Sequence, residues 1–360
     1  MSVTESISQR GGKSVSIPSR LILPAYTLAI FVSAFLLFSV QPLFAKMVLP
    51  KLGGSPAVWS VAMVFFQTML LAGYLYAHLL TRFLSLRNAS LIHMGVMITA
   101  FVFLPLAIPE GWTNPPESGQ SIWLLGLFTM AVGLPFFAVA ANSPLLQAWF
   151  SKTGHAHAAD PYFLYGASNI GSFASLILYI VAFEPTMAVT SQSLAWTAGF
   201  ALLAIMIGFA AMLASPRAGS EVRTVQKPST IKVQEGSLWR QRLTWIALAF
   251  IPSGLLVAVT AHMSTDVAAA PFLWVIPLAL FLLTFVVAFA RKPIIGVKGA
   301  ARVVFVLSPV LLLKLAFGDI SYPWLMLPAH LVFFFFAALL AHSLLVAQRP
   351  RAERLTEFYL

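Results

Sequence analysis

Long apolar segments separated by short polar ones dominate the chain. A helix needs about 20 mostly apolar residues to cross a bilayer, and ten segments satisfy this criterion. They lie near residues 22–46, 57–81, 89–108, 122–150, 162–183, 192–214, 243–263, 271–290, 300–317 and 323–346. The pattern predicts an all-α polytopic membrane protein with about ten transmembrane helices.

Polar segments divide this pattern into parts. Residues 1–20 are rich in Ser, Gly and basic side chains and are expected to form a mobile cytoplasmic N-terminus. Residues 215–242 form a basic cytoplasmic linker between a first half of six helices, 21–214, and a second half of four, 243–347. The last segment, 348–360, is predicted to be cytoplasmic and truncated.

Composition agrees with a membrane protein and sets its orientation. The chain is 59% hydrophobic and 9% charged, whereas soluble domains carry roughly 25% charged residues. With the N-terminus inside, 19 of the 22 Lys and Arg residues fall in cytoplasmic segments, so the positive-inside rule places both termini in the cytoplasm. The net charge of +11 is therefore explained by topology and contact with anionic lipid rather than by nucleic acid.

Three short matches in consistent order indicate an internal repeat. The matched pairs are Ser55–Trp59 with Ala270–Trp274, Phe136–Ser143 with Phe335–Ser343, and Tyr162–Leu164 with Phe358–Leu360. Two similarly oriented halves joined by a basic loop after the sixth span are the plan of a major facilitator transporter. The sequence predicts an incomplete bundle of this kind, with six helices plus four, that stops where an eleventh helix would start.

Several blocks also resemble the membrane part of bacterial fused facilitator/spermidine-synthase-like proteins. They are Val40–Met47, Gly53–Trp59, Phe65–Thr68, Tyr162–Ser172, His262–Asp266 and Leu355–Leu360. The resemblance covers nearly everything from residue 22 onward. It implies a multi-pass protein of the bacterial inner membrane that moves or senses a small, polyamine-related metabolite.

In that family the membrane helices are followed by a cytosolic aminopropyltransferase-like domain, which this chain lacks. The chain also lacks a Gly-rich nucleotide loop after a strand and acids placed to bind and deprotonate an amine. His155 and His157 have no obvious third ligand nearby, which favours a solvated pair over a metal site. We therefore expect no catalytic residues, no cofactor, no metal and no enzymatic activity.

His262 and Asp266 lie between two long apolar runs, where ionisable side chains are costly and usually face a partner, a cavity or water. One hypothesis pairs Asp266 with Lys46 or Lys51 across the two halves, as a gate that opens during transport. The alternative is that Asp266 only caps the helix that follows. The sequence leaves both open.

Five other polar residues are candidates for the lining of a central cavity. They are Gln41, Gln67, Asn142, Asn169 and His342. Polar side chains within spans commonly hydrogen-bond to a neighbouring helix, so packing is the alternative role for each of them.

Two functions follow from these observations. The first is a transporter-like module that contacts the lipid bilayer and a small-molecule substrate. The second is a non-transporting anchor or scaffold that holds a separate cytosolic synthase-like partner at the membrane.

Overall fold

The computed structural model describes residues 19–52, 56–214, 235–263, 275–290, 294–317 and 323–360. Within these ranges the chain is helical and contains no strand. The first helices are α1 (Ile22–Leu52), α2 (Pro56–Phe83), α3 (Leu86–Ala100), α4 (Gln120–Phe128), α5 (Leu134–Phe150), α6 (Phe163–Leu178), α7 (Glu184–Thr186) and α8 (Val189–Ala214). The later helices are α9 (Glu235–His262), α10 (Val275–Ala288), α11 (Val297–Phe317), α12 (Pro323–Ala347) and α13 (Leu355–Phe358).

Many of these helices, alone or joined end to end, are long enough to cross a bilayer. In the part of the chain that is described, eight continuous helical segments have the length and hydropathy of a membrane span. Two of them contain a π-helical turn, Thr129–Gly133 between α4 and α5 and Tyr179–Phe183 between α6 and α7. The shorter apolar helix α10 and the 21-residue helix α11 occupy the eighth and ninth predicted positions. The prediction of an all-α polytopic membrane protein is confirmed.

Helix α1 is the centre of the first half. It packs against α5, α6 and α8, and 67% of its most apolar stretch is buried. The Tyr26 hydroxyl donates a hydrogen bond to the carbonyl of Ala210 at 2.8 Å, and the Trp196 indole N–H donates to the carbonyl of Leu36 at 2.9 Å. These two bonds tie α1 to α8 at two levels, one near the start of α1 and one near its middle.

Two glycines allow the neighbouring helices to approach α1 closely. A Cβ atom built on Gly171 would lie 2.5 Å from the backbone oxygen of Phe31, and one on Gly199 would lie 2.9 Å from the Leu36 side chain. Small residues at such crossings are typical of membrane helices, because close approach maximises van der Waals contact. The positions of α6 and α8 therefore depend on the absence of a side chain at these two points.

The same packing arrangement occurs in both halves. In the first half α5, which completes the fourth span, contacts α1, α2 and α3. In the second half α12, which forms the tenth span, contacts α9, α10 and α11. In each half, the preceding three spans thus pack against the fourth span. The halves are joined by contact between α6 and α10.

The packing of α1 against α6 can be tested with Gly171→Ala. The new methyl group would meet backbone atoms that cannot rotate away, so we expect a loss of stability of about 1–3 kcal/mol from overpacking. Thermal unfolding in detergent measures this loss.

Gly166→Ala on the same helix is the matched control, because nothing lies within 4 Å of its Cβ position. That variant should be as stable as the wild type or slightly more stable, since Ala favours the helix over Gly. Equal melting temperatures for the two variants would contradict the close approach of α6 to α1.

Candidate functional site

The short helix α13 lies on the side of the bundle where α2, α5 and α12 end and α6 and α9 begin, which we call the C-terminal face. It packs against α2 and α5. Its polar and aromatic side chains also contact residues of α9. Because α2 and α5 belong to the first half and α9 to the second, α13 connects the two halves on this face.

Glu357 is the charged centre of this connection. Its Oε1 accepts hydrogen bonds from Arg242 at 2.7 Å for Nε and 2.6 Å for Nη2, while its Oε2 accepts one from Arg354 Nε at 2.7 Å. Hydrogen bonds from Arg354 and then from Arg242 outweigh the effect of burial and lower the pKa of Glu357 to about 2. The carboxylate is therefore ionised throughout the physiological range.

The opposite side of α13 is bonded to the first half. The Thr356 hydroxyl lies 2.9 Å from Nδ1 of His78 and 3.5 Å from the Thr81 hydroxyl. The Tyr359 hydroxyl donates to Oε1 of Gln147 at 2.7 Å. The charged contacts of Glu357 and the neutral contacts of Thr356 and Tyr359 together are called the C-terminal network. Its members are His78, Thr81, Gln147, Arg242, Arg354, Thr356, Glu357 and Tyr359.

Aromatic side chains cover part of this network. The Phe358 ring stands edge-on to Tyr162, with centroids 6.0 Å apart, and to Trp245, with centroids 5.1 Å apart. The Arg354 guanidinium lies 5.5 Å from the Trp245 ring centroid, within the range of a cation–π interaction. The side chains of Arg242, Arg354 and Glu357 remain 38%, 33% and 20% exposed, so solvent partly screens these ion pairs.

Asp160, which precedes α6, pairs with Arg349, which follows α12, at 3.1 Å between Oδ2 and Nη2. More than half of the Asp160 side chain is exposed. An exposed pair of this kind contributes little to stability, so it adds contact between α12 and the start of α6 rather than strength.

Three residues of the predicted gate, Lys46, Lys51 and His262, lie on the face opposite to α13. Lys46 donates to Oε2 of Glu184 at 2.6 Å, which ties the end of α1 to α7 within the first half. Lys51 is exposed in the last turn of α1. His262 ends α9, with its ring 5.2 Å from that of His330 on α12. Asp266 lies outside the described residues, so its pairing with a lysine stays a prediction.

Asn142, one of the predicted cavity residues, is fully buried in α5. Its Oδ1 lies 2.8 Å from Nε2 of His93, which is also fully buried and belongs to α3. The His93 ring is surrounded by Tyr76 and Trp149, at centroid distances of 5.9 and 6.4 Å. This bond is a polar link between neighbouring helices inside the first half.

The other four predicted cavity residues are distributed over different helix contacts. Gln41 donates to the carbonyl of Leu37 at 3.4 Å, Gln67 is exposed, and Asn169 donates to the carbonyl of Tyr165 at 2.7 Å. His342 is buried, with Nδ1 2.7 Å from the Thr284 hydroxyl and its ring stacked on Phe285. Gln41 and Asn169 therefore bond within their own helices, and His342 bonds to a neighbouring helix.

The C-terminal network was not among the predicted sites. The sequence signal for it is Glu357, the one acid in the stretch Leu355–Leu360, which directly follows a segment that contains Arg349, Arg351 and Arg354. Such an acid needs basic partners if it is not fully solvated. Arg242 could not be identified as one of them, because it is more than a hundred residues distant in the chain.

Metal ligation has little support in the residues that are described, where no group of three or more His, Asp or Glu side chains is placed to hold an ion. His155 and His157 stack with ring centroids 5.4 Å apart.

Comparison with known proteins adds no assignment: no protein-family model matches the chain, and no curated protein sequence matches it. The function must therefore be argued from the geometry.

The link between α3 and α5 can be tested with a double-mutant cycle of His93→Phe and Asn142→Leu. Each single change leaves a buried polar group without its partner, which costs about 1–3 kcal/mol. We expect the double variant to lose less than the sum of the single changes, with a coupling of about 0.5–1.5 kcal/mol. Unfolding in mixed detergent and SDS measures all four proteins, and strict additivity would show that this contact has no energetic weight.

The charge of Glu357 gives a prediction for acid pH. Because its pKa is lowered in the folded protein, its contribution to stability is complete above the ordinary carboxyl pKa and disappears as the pH falls towards 2. The difference in melting temperature between the wild type and Glu357→Gln should be constant from pH 8 to pH 5 and should shrink below about pH 4.5.

The matched control is Glu117→Gln, at an exposed loop position. It should leave the melting temperature near that of the wild type at every pH. A Glu357→Gln difference that changes between pH 8 and pH 6 would contradict the strong pairing of Glu357 with its two arginines.

Proposed function

We propose that this protein is a transporter-like module of the bacterial inner membrane that moves a small metabolite by rocking its two helical halves against each other. The observation that carries the proposal is the shared packing plan, in which α12 contacts α9, α10 and α11 as α5 contacts α1, α2 and α3. Halves built alike and facing the same way are a common basis of alternating access.

The contacts between the halves support a two-fold relation. Suppose that a two-fold axis along the membrane normal relates the halves. It then exchanges the fifth span with the eleventh position, and the second span with the eighth. Contact between the fifth and eighth spans, α6 and α10, then requires contact between the second span and the eleventh position. Helix α13, whose sequence resembles the start of α6, does contact α2.

In this proposal the C-terminal network is the cytoplasmic gate, and the described conformation is closed on that side. The excess of Lys and Arg in the segments on this face supports its assignment to the cytoplasm. Opening requires the bonds of Glu357 to Arg242, or those of α13 to α2 and α5, to separate. Charged hydrogen bonds contribute about 1.5–3 kcal/mol each, which a substrate with different affinities for the two conformations can overcome.

The resemblance to fused facilitator/spermidine-synthase-like proteins supports a polyamine-related substrate. A polyamine is a flexible cation and would bind to acidic side chains. Glu184 is a described acid on the face opposite to the network, where it is paired with Lys46. In the same proposal the chain has no catalytic role, because the resemblance implies that chemistry belongs to a separate cytosolic domain.

The gate can be tested by a disulfide, because the chain has no native cysteine. The hydroxyl oxygens of Thr81 and Thr356 are 3.5 Å apart, so the double variant Thr81→Cys, Thr356→Cys should form a bridge between α2 and α13 under mild oxidation. We expect uptake of labelled putrescine or spermidine into proteoliposomes to fall at least tenfold on oxidation and to recover with reductant.

Thr81→Cys alone is the matched control and should be insensitive to oxidant. Full activity of the bridged protein would contradict the role of the network as a gate. If the wild type carries no polyamine or nucleoside, the role of an anchor for a synthase-like partner is favoured over transport.

A further inference from the structure

A narrow apolar slot lies between α1, the π-helical turn Tyr179–Phe183 and α8. Its volume is about 320 Å³, at the small end of ligand pockets, which run from roughly 300 to 1,000 Å³. On α1 its lining extends from Phe31 to Leu43, which is about 18 Å of helix at 1.5 Å per residue. A volume this small spread along such a length has the shape of one extended chain rather than of a compact metabolite.

The slot offers almost no polar contact. The Trp196 indole N–H and the Ser39 hydroxyl both donate to the carbonyl of Leu36. The side-chain amide of Gln192 donates to the carbonyls of Phe183 and Met187. These donors are already used within the protein, and apart from the Tyr179 hydroxyl and Oε1 of Gln192 the remaining side-chain atoms of the lining are apolar.

The slot opens on a surface that faces lipid. Ala195, on its rim, is exposed. The surrounding surface of α6, the π-helical turn and α8 exposes large apolar side chains, among them Ile177, Leu178, Ile180, Val181, Leu194 and Leu202. In a membrane span such a surface contacts acyl chains, so the slot is accessible from within the bilayer.

One end of the slot carries a pair of opposite charges. Lys46 is one helical turn beyond Leu43, and Glu184 directly follows Phe183. The two side chains are bonded at 2.6 Å, and each remains about 30% exposed, at 28% and 31%. An ammonium has three N–H donors and a carboxylate has several lone pairs, so each group can bind a further partner of opposite charge.

We propose that the slot binds one acyl chain of a zwitterionic phospholipid with a primary ammonium, a phosphatidylethanolamine. The phosphate contacts Lys46 and the ammonium donates to Glu184, while the chain lies against α1 and α8. An anionic headgroup would meet the repulsion of Glu184, and a quaternary ammonium has no N–H to donate. The site is independent of the proposed transport cycle.

Native mass spectrometry of the purified protein, titrated with phosphatidylethanolamine, phosphatidylcholine or phosphatidylglycerol, tests the proposal. The wild type should retain one phosphatidylethanolamine, in preference to the other two lipids by at least threefold. Ala195→Phe, which places a ring at the slot, should reduce that retention at least fivefold. Ala198→Phe, at an exposed position on the same helix outside the slot, should retain lipid like the wild type.

The double variant Lys46→Gln, Glu184→Gln separates the headgroup from the chain. It should still retain one lipid but without preference among the three headgroups. Equal retention by the Ala195→Phe and Ala198→Phe variants would overturn the slot as the binding site. Equal retention of the three lipids by the wild type would overturn the assignment of the headgroup.

Discussion

Close approach of α6 and α8 to α1 is the constraint on which the rest of the structure depends. Inside a bilayer a helix gains no hydrophobic free energy by contacting another helix, because lipid tails are equally apolar. Contact must be favoured by shape and by internal hydrogen bonds. Gly171 provides the shape at α6 and Gly199 at α8, while Tyr26 and Trp196 provide bonds between α1 and α8. With α1 fixed in this way, α5, α6 and α8 pack on one helix, and α5 connects α2 and α3 to it.

A rigid half needs a joint if it is to move against another, and α13 is placed to be that joint. Its charged side bonds to Arg242 of α9, and its neutral side bonds to α2 and α5. The two sides differ in strength, because Glu357 makes ion-paired hydrogen bonds under aromatic cover whereas Thr356 and Tyr359 make neutral ones. If the halves separate as proposed, we expect α13 to stay with α9, so that α2 and α5 move away from it.

The sequence predicts the spans well because length and hydropathy are local properties that one stretch of residues determines alone. It predicts polar partners poorly, because a partner depends on how two distant helices are aligned and rotated. Lys46 illustrates this limit: its charge and its membrane-edge position were evident, but its partner is Glu184, more than a hundred residues away. The same holds for Asn142 and His93, where the need for a partner was predictable and its identity was not.

The two halves share a packing plan but not their polar chemistry. Asn142 and His342 occupy matching positions in the repeat, yet Asn142 bonds to α3 and His342 bonds to α10. Helix α3 is the third span and α10 is the eighth, and these two spans do not correspond in the repeat. The same position in the two halves therefore faces different neighbouring helices. Backbone contacts and small residues thus preserve the symmetry, while single polar substitutions give each half its own bonds. A substrate that meets both halves would therefore contact unlike chemistry on its two sides.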